Sequence, residues 1–350
     1  MRKSIFTILQ YSFFLGLGIL FVWLSIRKID HLQWLQIKDA LQRARHWLIF
    51  PVFILLLLSH YFRALRWKIL MEPMGYHPST FNTFAAVMIG YLVNAGVPRL
   101  GEVVKCTLLS RYENVRADRL VGTIVMERAV DLVSLIIVFV LALIFQGHVI
   151  GGYVSHSFGK FFTDKTGHAS IQKIVIVLAV IITIVGVLFF LLRRFGHIDA
   201  VAKIKHVIRG ILHGLSSIKF IKHKGIFLFY SVLIWSLYLA STTIGIYALQ
   251  ETAHLGIGGG LTTLAVGSVG MVLTPGGIGA YPLLVAKLMG LYGLNEDTIG
   301  NALGWLLWSV QTIIIIGAGV IFSGLFSYHN KRKQNIESRQ QYTEQNIDIT

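Results

Sequence analysis

Charge is scarce in this chain, and cysteine is almost absent. Only 14% of the 350 residues are charged, whereas a soluble domain of this length is normally about a quarter charged. The single cysteine, Cys106, excludes an internal disulfide and a cysteine-based zinc site. The scattered histidines lack metal-ligand spacing, and there is no nucleotide-binding P-loop or dinucleotide motif. We therefore expect no metal and no cofactor.

Long hydrophobic runs occur where charge is missing. Hydrophobic residues make up 55% of the chain, and several runs approach or exceed the ~20 residues that cross a bilayer core. These runs are Ile5–Ser25, Leu48–Leu65, Leu120–Phe145, Ile174–Leu192, Ile226–Leu249 and Ile299–Phe326. They predict an all-α polytopic membrane protein with about six full transmembrane helices. Because the first run lacks a signal-peptide cleavage site, it is interpreted as an uncleaved span.

The net charge of +16 has an explanation other than nucleic acid. Lys and Arg of membrane proteins collect in cytoplasmic loops, so we expect no nucleic-acid partner. Placing both termini in the cytoplasm puts most basic residues on the cytoplasmic side, as expected for a multi-pass protein of the cytoplasmic (inner) membrane. The basic residues between Arg27 and Arg45 oppose this orientation locally. The stretch from Asp30 to Trp47 is amphipathic and is expected to lie on the membrane surface.

Two breaks containing glycine and proline interrupt short apolar pieces at corresponding places in the two halves of the chain. The first is "NAGVPRLGE" with Pro98, and the second is "TPGGIGAYP" with Pro275. Each half has the order span, span, broken hairpin, span, with repeat one at about 5–146 and repeat two at about 174–326. If the hairpins are re-entrant, each half has three crossings, and the halves form an inverted repeat. The integral membrane domain would be residues 1–328, and the polar tail 329–350 is expected to be disordered and cytoplasmic.

Charged residues follow the first break directly. Arg99, Glu102 and Lys105 come after Pro98, and the two basic side chains near a half-helix N-terminus are suited to bind phosphate. An exposed Arg–Glu pair beside an ordinary surface turn is the competing interpretation.

The third span carries three charges about two turns inside its apolar run. They are Glu127, Arg128 and Asp131, and each costs ~2.5–3.5 kcal/mol in such a position, so a partner or a polar cavity should face them. Glu127 and Asp131 share one helix face. The group is interpreted either as the wall of a polar pathway or as a structural cluster that holds the first hairpin.

The second break carries no charge. Its glycines either offer backbone N–H groups to a headgroup or permit tight helix packing, and both interpretations stay open. Lys287, one arm further on, either neutralises a phosphate or extends to the interface.

The motifs "VPRLGE", "ERAVD" and "TPGGIGAYP", in this order, resemble the lysylphosphatidylglycerol synthase transmembrane region family, a flippase-like family of integral membrane proteins. The resemblance covers about Ile5 to Phe326. The matching positions are Pro98, Arg99, Gly101 and Glu102; Glu127, Arg128 and Asp131; and Pro275, Gly276, Gly277 and Gly279. Two positions depart from the family pattern: no glycine separates Pro98 from Arg99, and Pro282 stands where the family often has Glu. The second departure puts any role of a carboxylate in the second hairpin in doubt.

The resemblance implies a membrane protein with re-entrant helices that moves lipids between leaflets. We therefore predict a non-enzymatic lipid translocase for a phospholipid or related phosphate-bearing lipid. Basic residues would bind the phosphate (Arg99, Lys105 and Arg128), and acidic residues would tune or release it (Glu102, Glu127 and Asp131). The hairpin glycines would let one repeat rock against the other.

Two other functions remain as alternatives. The first is a membrane enzyme that transfers a group to or from a lipid headgroup with Glu127 or Asp131 as base, and the second is a structural partner of a lipid-modifying enzyme. Expected partners are membrane lipids, with a homo-oligomer or a separately encoded lipid-modifying enzyme as further candidates. The soluble aminoacyltransferase domain of the bifunctional members would need a few hundred more residues, so we expect no synthase activity.

Overall fold

The computed structural model describes residues 16, 18–27, 29–97, 99–162 and 221–347, and the regular structure in these ranges is helical. Residues 18–26 form a helical segment before the first named helix. The named helices are α1 His31–Gln42, α2 Ile49–Met71, α3 Thr80–Gly96, α4 Leu100–Glu113, α5 Ala117–Phe162, α6 Lys224–Ile246, α7 Gly256–Leu273, α8 Ala280–Leu291 and α9 Asn301–Ile347. Short helical turns lie between them at His46–Leu48, Glu72–Met74, Ala253–Leu255, Pro275–Gly277 and, as a π-helix, Glu296–Gly300.

Five helical stretches in the described part are long and apolar enough to cross a membrane. They are His46–Met74, Ala117–Gly147, Lys224–Ile246, Ala253–Leu273 and Glu296–Arg332. Four of them coincide with predicted spans, so the prediction of an all-α polytopic membrane protein is confirmed. Of the other two predicted spans, Ile174–Leu192 lies outside the described residues, and Ile5–Ser25 is described only in part from residue 16.

The arms of both predicted hairpins are shorter than the full spans. Helices α3, α4 and α8 have 17, 14 and 12 residues, whereas α2 and α6 have 23 each. A crossing helix needs ~20 residues, so these three arms are too short to span the bilayer core upright. Helix α7 has 18 residues and becomes a candidate span together with the turn Ala253–Leu255. The re-entrant path of the hairpins therefore stays a prediction.

The two hairpins enter the helix bundle from opposite ends. Hairpin one (α3 and α4) begins after the last residue of α2, while hairpin two (α7 and α8) begins after the last residue of α6. The start of α2 and the end of α6 are adjacent, because the Arg45 backbone N–H donates to the Ala248 carbonyl oxygen over 2.8 Å. At the tips, a Cβ built on Gly276 would lie 3.8 Å from the Ala95 Cα. The hairpins thus meet tip to tip, and their arrangement as an inverted repeat stays a prediction.

Each hairpin packs against the last span of the other half. Helix α3 packs along α9, and α7 packs along α5. The second spans of the halves, α2 and α6, form an extensive contact with each other. This reciprocal exchange of partners is the packing expected of two structurally equivalent halves.

Helix α1 has the amphipathic character predicted for the stretch after the first span. Asp30 forms a capping box with Gln33, which satisfies donors at the helix start. Ile37 and Ala40 are buried, and the helix contacts the π-helical turn before α9. Its exposed face carries large apolar side chains, namely Leu32, Trp34 and Leu35. Its position on the membrane surface stays a prediction.

The last helix extends beyond the predicted membrane domain. We expected disorder after residue 328, whereas α9 continues to Ile347. Its polar part is rich in Lys, Arg, Gln and Glu, which are good helix formers. Helix α5 is also long, and it is interrupted at Gln146, whose φ of −122° and ψ of 19° are non-helical.

The turn of hairpin one depends on a close backbone contact between its arms. Arg99 has a φ of 66° and precedes α4, and the Asn94 side-chain oxygen accepts a 2.8 Å hydrogen bond from the Gly101 backbone N–H. A Cβ at Gly101 would overlap the Gly90 carbonyl oxygen. Glycine at position 101 is therefore required by the narrow space between the two arms.

We predict that Gly101→Ala lowers the free energy of unfolding by about 1–3 kcal/mol, since the two arms must separate to admit the methyl group. Gly122→Ala on α5 is the matched control, because a Cβ at Gly122 meets nothing within 4 Å. Unfolding of the purified protein in mixed micelles measures both. Equal stabilities of the two variants would contradict the proposed contact.

Candidate functional site

A buried network of charges joins α2, α4 and α5. Arg63 donates to Asp131 Oδ2 over 2.6 Å and to Glu127 Oε1 over 3.1 Å. Arg66 donates to Asp131 Oδ1 over 2.7 Å, and Lys105 donates to Glu127 Oε2 over 2.9 Å. Each carboxylate oxygen therefore accepts a hydrogen bond from a cation. Charge-assisted bonds of this kind are the strongest that side chains form.

Helical spacing brings these side chains onto facing surfaces. Arg63 and Arg66 are three residues apart on α2, and Glu127 and Asp131 are four apart on α5, so each pair projects from one helix face. The side chains are nearly inaccessible, from 0% exposure for Arg66 to 13% for Asp131. Arg63 is about 21 Å along α2 from its first residue, well inside an apolar span. Unpaired charges would be costly at this depth.

Polar and aromatic neighbours complete the environment of the network. The Lys105 ammonium lies 4.6 Å from the centre of the Trp67 ring, a cation–π geometry. The Trp67 indole N–H donates to the Thr123 hydroxyl over 2.8 Å. Arg63 also donates to the Tyr238 hydroxyl over 3.3 Å, which links α6 to the network. Helices from both halves of the chain are thereby connected.

The network has more positive than negative charge. Its three basic side chains outnumber its two carboxylates, so it carries one surplus positive charge. A separate ion pair between Arg128 on α5 and Glu102 on α4 adds no net charge. This second pair is less buried, with side-chain exposures of 48% for Arg128 and 24% for Glu102.

A cavity of about 430 Å³ lies beside the network. Most of its wall is apolar. Helices α2, α5, α7 and α9 contribute Val52 and Leu56, Leu132 and Leu135, Leu264, and Leu306, Leu307 and Val310, and α6 lines the cavity at Trp235, Tyr238, Ser241, Thr242 and Gly245. Charge is concentrated on the wall beside the network, at Arg63, Arg128 and Asp131. Arg45 and His46 also line it, at the end of the bundle where α2 begins. Such a cavity is suited to an amphiphilic ligand.

Three polar atoms of the cavity lining have no hydrogen-bond partner among the described residues. They are His60 Nδ1, Arg63 Nε and Trp235 Nε1, and each atom is inaccessible to solvent. The His60 ring also packs against the Tyr91 ring in a tilted arrangement, with ring centres 4.7 Å apart. Buried polar atoms are normally hydrogen-bonded, so unpartnered ones on a cavity wall indicate a place for a ligand or water.

The structure brings together five of the predicted site residues. Glu102, Lys105, Glu127, Arg128 and Asp131 all participate in the two ion-pair groups. The earlier alternative of a structural cluster is also supported, because these pairs tie hairpin one to α5.

The remaining predicted residues lie elsewhere. Arg99 is exposed and makes no ion pair with a described residue, Gly101 packs the hairpin, and Pro98 lies outside the described residues. The second break forms the tip of hairpin two with Pro275, Gly276, Gly277 and Gly279. Trp308 holds this tip by donating to the Gly276 carbonyl oxygen over 2.8 Å. Lys287 is exposed and lies 4.0 Å from Glu296.

The two arginine partners of the carboxylates were not predicted from the sequence. In the sequence, Arg63 and Arg66 lie at the end of the predicted run Leu48–Leu65, where basic residues ordinarily mark the membrane edge. Their three-residue spacing on an otherwise apolar helix was the available signal, together with two intramembrane carboxylates that needed cations. Nothing in the local sequence singled out His60 or Trp235.

Comparison with known proteins agrees with this architecture. The profile of the family described as lysylphosphatidylglycerol synthase TM region matches residues 9–319. The chain belongs to this family, which indicates a lipid-related function in a membrane. Comparison with curated proteins and with solved structures finds no match.

We predict that Asp131→Asn lowers the free energy of unfolding by about 3–5 kcal/mol, because two buried guanidinium groups lose their shared counter-charge. Asp118→Asn serves as the control, since Asp118 pairs with Arg116 at the surface, where both side chains are 64% exposed. Its unfolding midpoint should equal that of the wild type. Chemical unfolding of both variants in mixed micelles is the measurement, and a small effect of Asp131→Asn would contradict the central role of this carboxylate.

Proposed function

We propose that the protein moves a phosphate-bearing lipid between the leaflets of the cytoplasmic membrane without changing it covalently. The observation that carries this proposal is the cavity whose wall is apolar over most of its extent and cationic at one place. Lipid translocation requires a path that shields a polar headgroup while the chains stay in an apolar environment. Family membership supports a lipid as the ligand.

The position of the cavity within the bundle supports a path across the membrane. It reaches from the start of α2, at Arg45 and His46, to Arg63 at about two-thirds of the length of that helix. Beyond Arg63 the ion-pair network fills the space between α2, α4 and α5. The cavity thus lies on one side of the network, which separates it from the far end of α2. Alternating access requires this asymmetry in each of its end states.

Hairpin one is the element best placed to move. Its contacts with α5 include two ion pairs, Glu102–Arg128 and Lys105–Glu127. Ion pairs can exchange partners when a charged ligand arrives, whereas a purely apolar contact offers a ligand no competing interaction. Glu102 therefore keeps the role predicted from the sequence, while phosphate binding passes from Arg99 and Lys105 to Arg63 beside Arg128.

A non-enzymatic role agrees with the state of the two buried carboxylates. A general base must take up a proton readily, and cations that pair with a carboxylate make it a weaker base. Both oxygens of Glu127 and of Asp131 accept from Arg63, Arg66 or Lys105. We therefore propose translocation in preference to group transfer, with both termini in the cytoplasm and membrane lipids as partners.

The test is leaflet exchange of a fluorescent phosphatidylglycerol in vesicles that contain the purified protein. We predict that Thr242→Trp, which places an indole on the cavity wall, slows exchange about 10-fold or more by occupying the path. Val232→Trp is the control on the same helix, because Val232 is 59% exposed on the outside of the bundle. It should exchange lipid at the wild-type rate.

Mass spectrometry of the recovered lipid completes the experiment. Unchanged lipid with protein-dependent exchange is the expected result. Chemically altered lipid would favour the membrane enzyme. Absence of exchange by the wild type, or equal rates for the two tryptophan variants, would contradict a path through this cavity.

A further inference from the structure

The charge on the cavity wall does not balance. Two of its charged residues at the network are cations, Arg63 and Arg128, and one is an anion, Asp131. The other members of the ion-pair groups are two cations, Arg66 and Lys105, and two anions, Glu127 and Glu102. Together they add no net charge, so the surplus of one positive charge stays the same. Such a surplus is unfavourable in a poorly solvated interior, because no counter-charge among the described residues offsets it.

The hydrogen-bonding capacity of the wall is also incomplete. Arg63 Nε and Trp235 Nε1 can only donate, and both are buried without a partner among the described residues. His60, which is 5% exposed, has a third unpartnered nitrogen on the same wall. Arg63 and Trp235 both line the wall that carries the surplus positive charge, and N–H donors beside such a charge are suited to the oxygens of an anion.

From these two observations we infer that the charged part of the cavity is a headgroup subsite for lipids of one net negative charge, with Arg63 and Arg128 as the phosphate-binding residues. The inference rests on the proposed function and names its substrate class. A phosphodiester without an amine neutralises the surplus. A zwitterionic headgroup has no net charge, so it leaves the surplus positive charge in place and adds an ammonium beside the arginines. A headgroup with two negative charges turns the surplus positive charge into a surplus negative charge.

Arg128 connects this subsite to hairpin one. Its guanidinium pairs with Glu102 and is half-exposed, and the residue also lines the cavity. A phosphate at the wall competes with the Glu102 carboxylate for the same guanidinium. Binding of the anionic lipid therefore weakens one of the two ion pairs that hold hairpin one to α5.

Lipid competition on the purified protein tests the inference without transport. The protein in a neutral detergent receives equal amounts of phosphatidylglycerol and phosphatidylcholine with identical acyl chains, and native mass spectrometry measures the bound ratio. We expect a preference of about 10-fold or more for phosphatidylglycerol, as one Coulomb interaction at short range in a partly buried site provides. Cardiolipin, with two charges, should bind less well per headgroup than phosphatidylglycerol. Excess inorganic phosphate should not displace the lipid, since the apolar wall contributes to its binding.

Two variants that break the same ion pair separate charge from structure. Arg128→Gln removes the surplus and should bring the ratio to about one. Glu102→Gln loses the same Arg128–Glu102 contact but raises the surplus to two, so it should keep the preference and bind cardiolipin better than the wild type does. Arg128→Lys should retain the wild-type ratio. Thermal unfolding of each variant confirms that the protein is folded.

Three results would overturn the inference: a wild-type ratio near one, a shift in the same direction for Arg128→Gln and Glu102→Gln, or displacement of lipid by inorganic phosphate. Failure of the proposed function has a different signature. Preference for phosphatidylglycerol without leaflet exchange would refute translocation and keep the headgroup subsite. Equal leaflet-exchange rates and equal binding for the two lipids would agree with translocation and refute the headgroup subsite.

Discussion

Asp131 accepts hydrogen bonds from two arginines at once, and the arrangement of the bundle depends on this contact. Neither guanidinium is tolerable alone in an apolar span, and neither is the carboxylate. The shared bond therefore fixes α5 against α2 at one register. Glu127, one turn earlier, extends the same requirement to Lys105 and so to hairpin one. Polar pairing determines the neighbours, while the surrounding apolar packing alone would allow the helices to slide.

The two hairpins are held in different ways. Hairpin one is attached to α5 through two ion pairs, whereas the tip of hairpin two is attached through close backbone packing and the Trp308 hydrogen bond. At hairpin two a Cβ on Gly270 would lie 2.6 Å from the Tyr281 Cα, so its arms approach as closely as glycine permits. The equivalent positions of the two halves thus carry different chemistry. The attachment of hairpin one therefore depends on charge, whereas the attachment of hairpin two depends on close packing.

Hydropathy predicted much of the fold, because the need to bury about 20 apolar residues per crossing is a local property of the sequence. It also predicted that Glu127 and Asp131 need partners, since isolated charges are too costly in a span. It did not predict the two arginine partners, because Arg63 and Arg66 are separated from the carboxylates by more than 60 residues, and their own surroundings resembled a membrane edge. Arg99 was predicted as a site residue from its position beside the break; it has a left-handed conformation before α4 and an exposed side chain, and its role stays a prediction.

Stability alone does not account for a buried network of this size. Replacing a buried ion pair by well-packed apolar side chains of similar volume is often neutral or stabilising. A chain with 55% hydrophobic residues had many such side chains available for these positions. A network with surplus charge is less favourable still, unless a ligand supplies the missing anion. The surplus beside the cavity therefore favours a site that is complete only when lipid is bound, and it connects headgroup binding to the release of hairpin one.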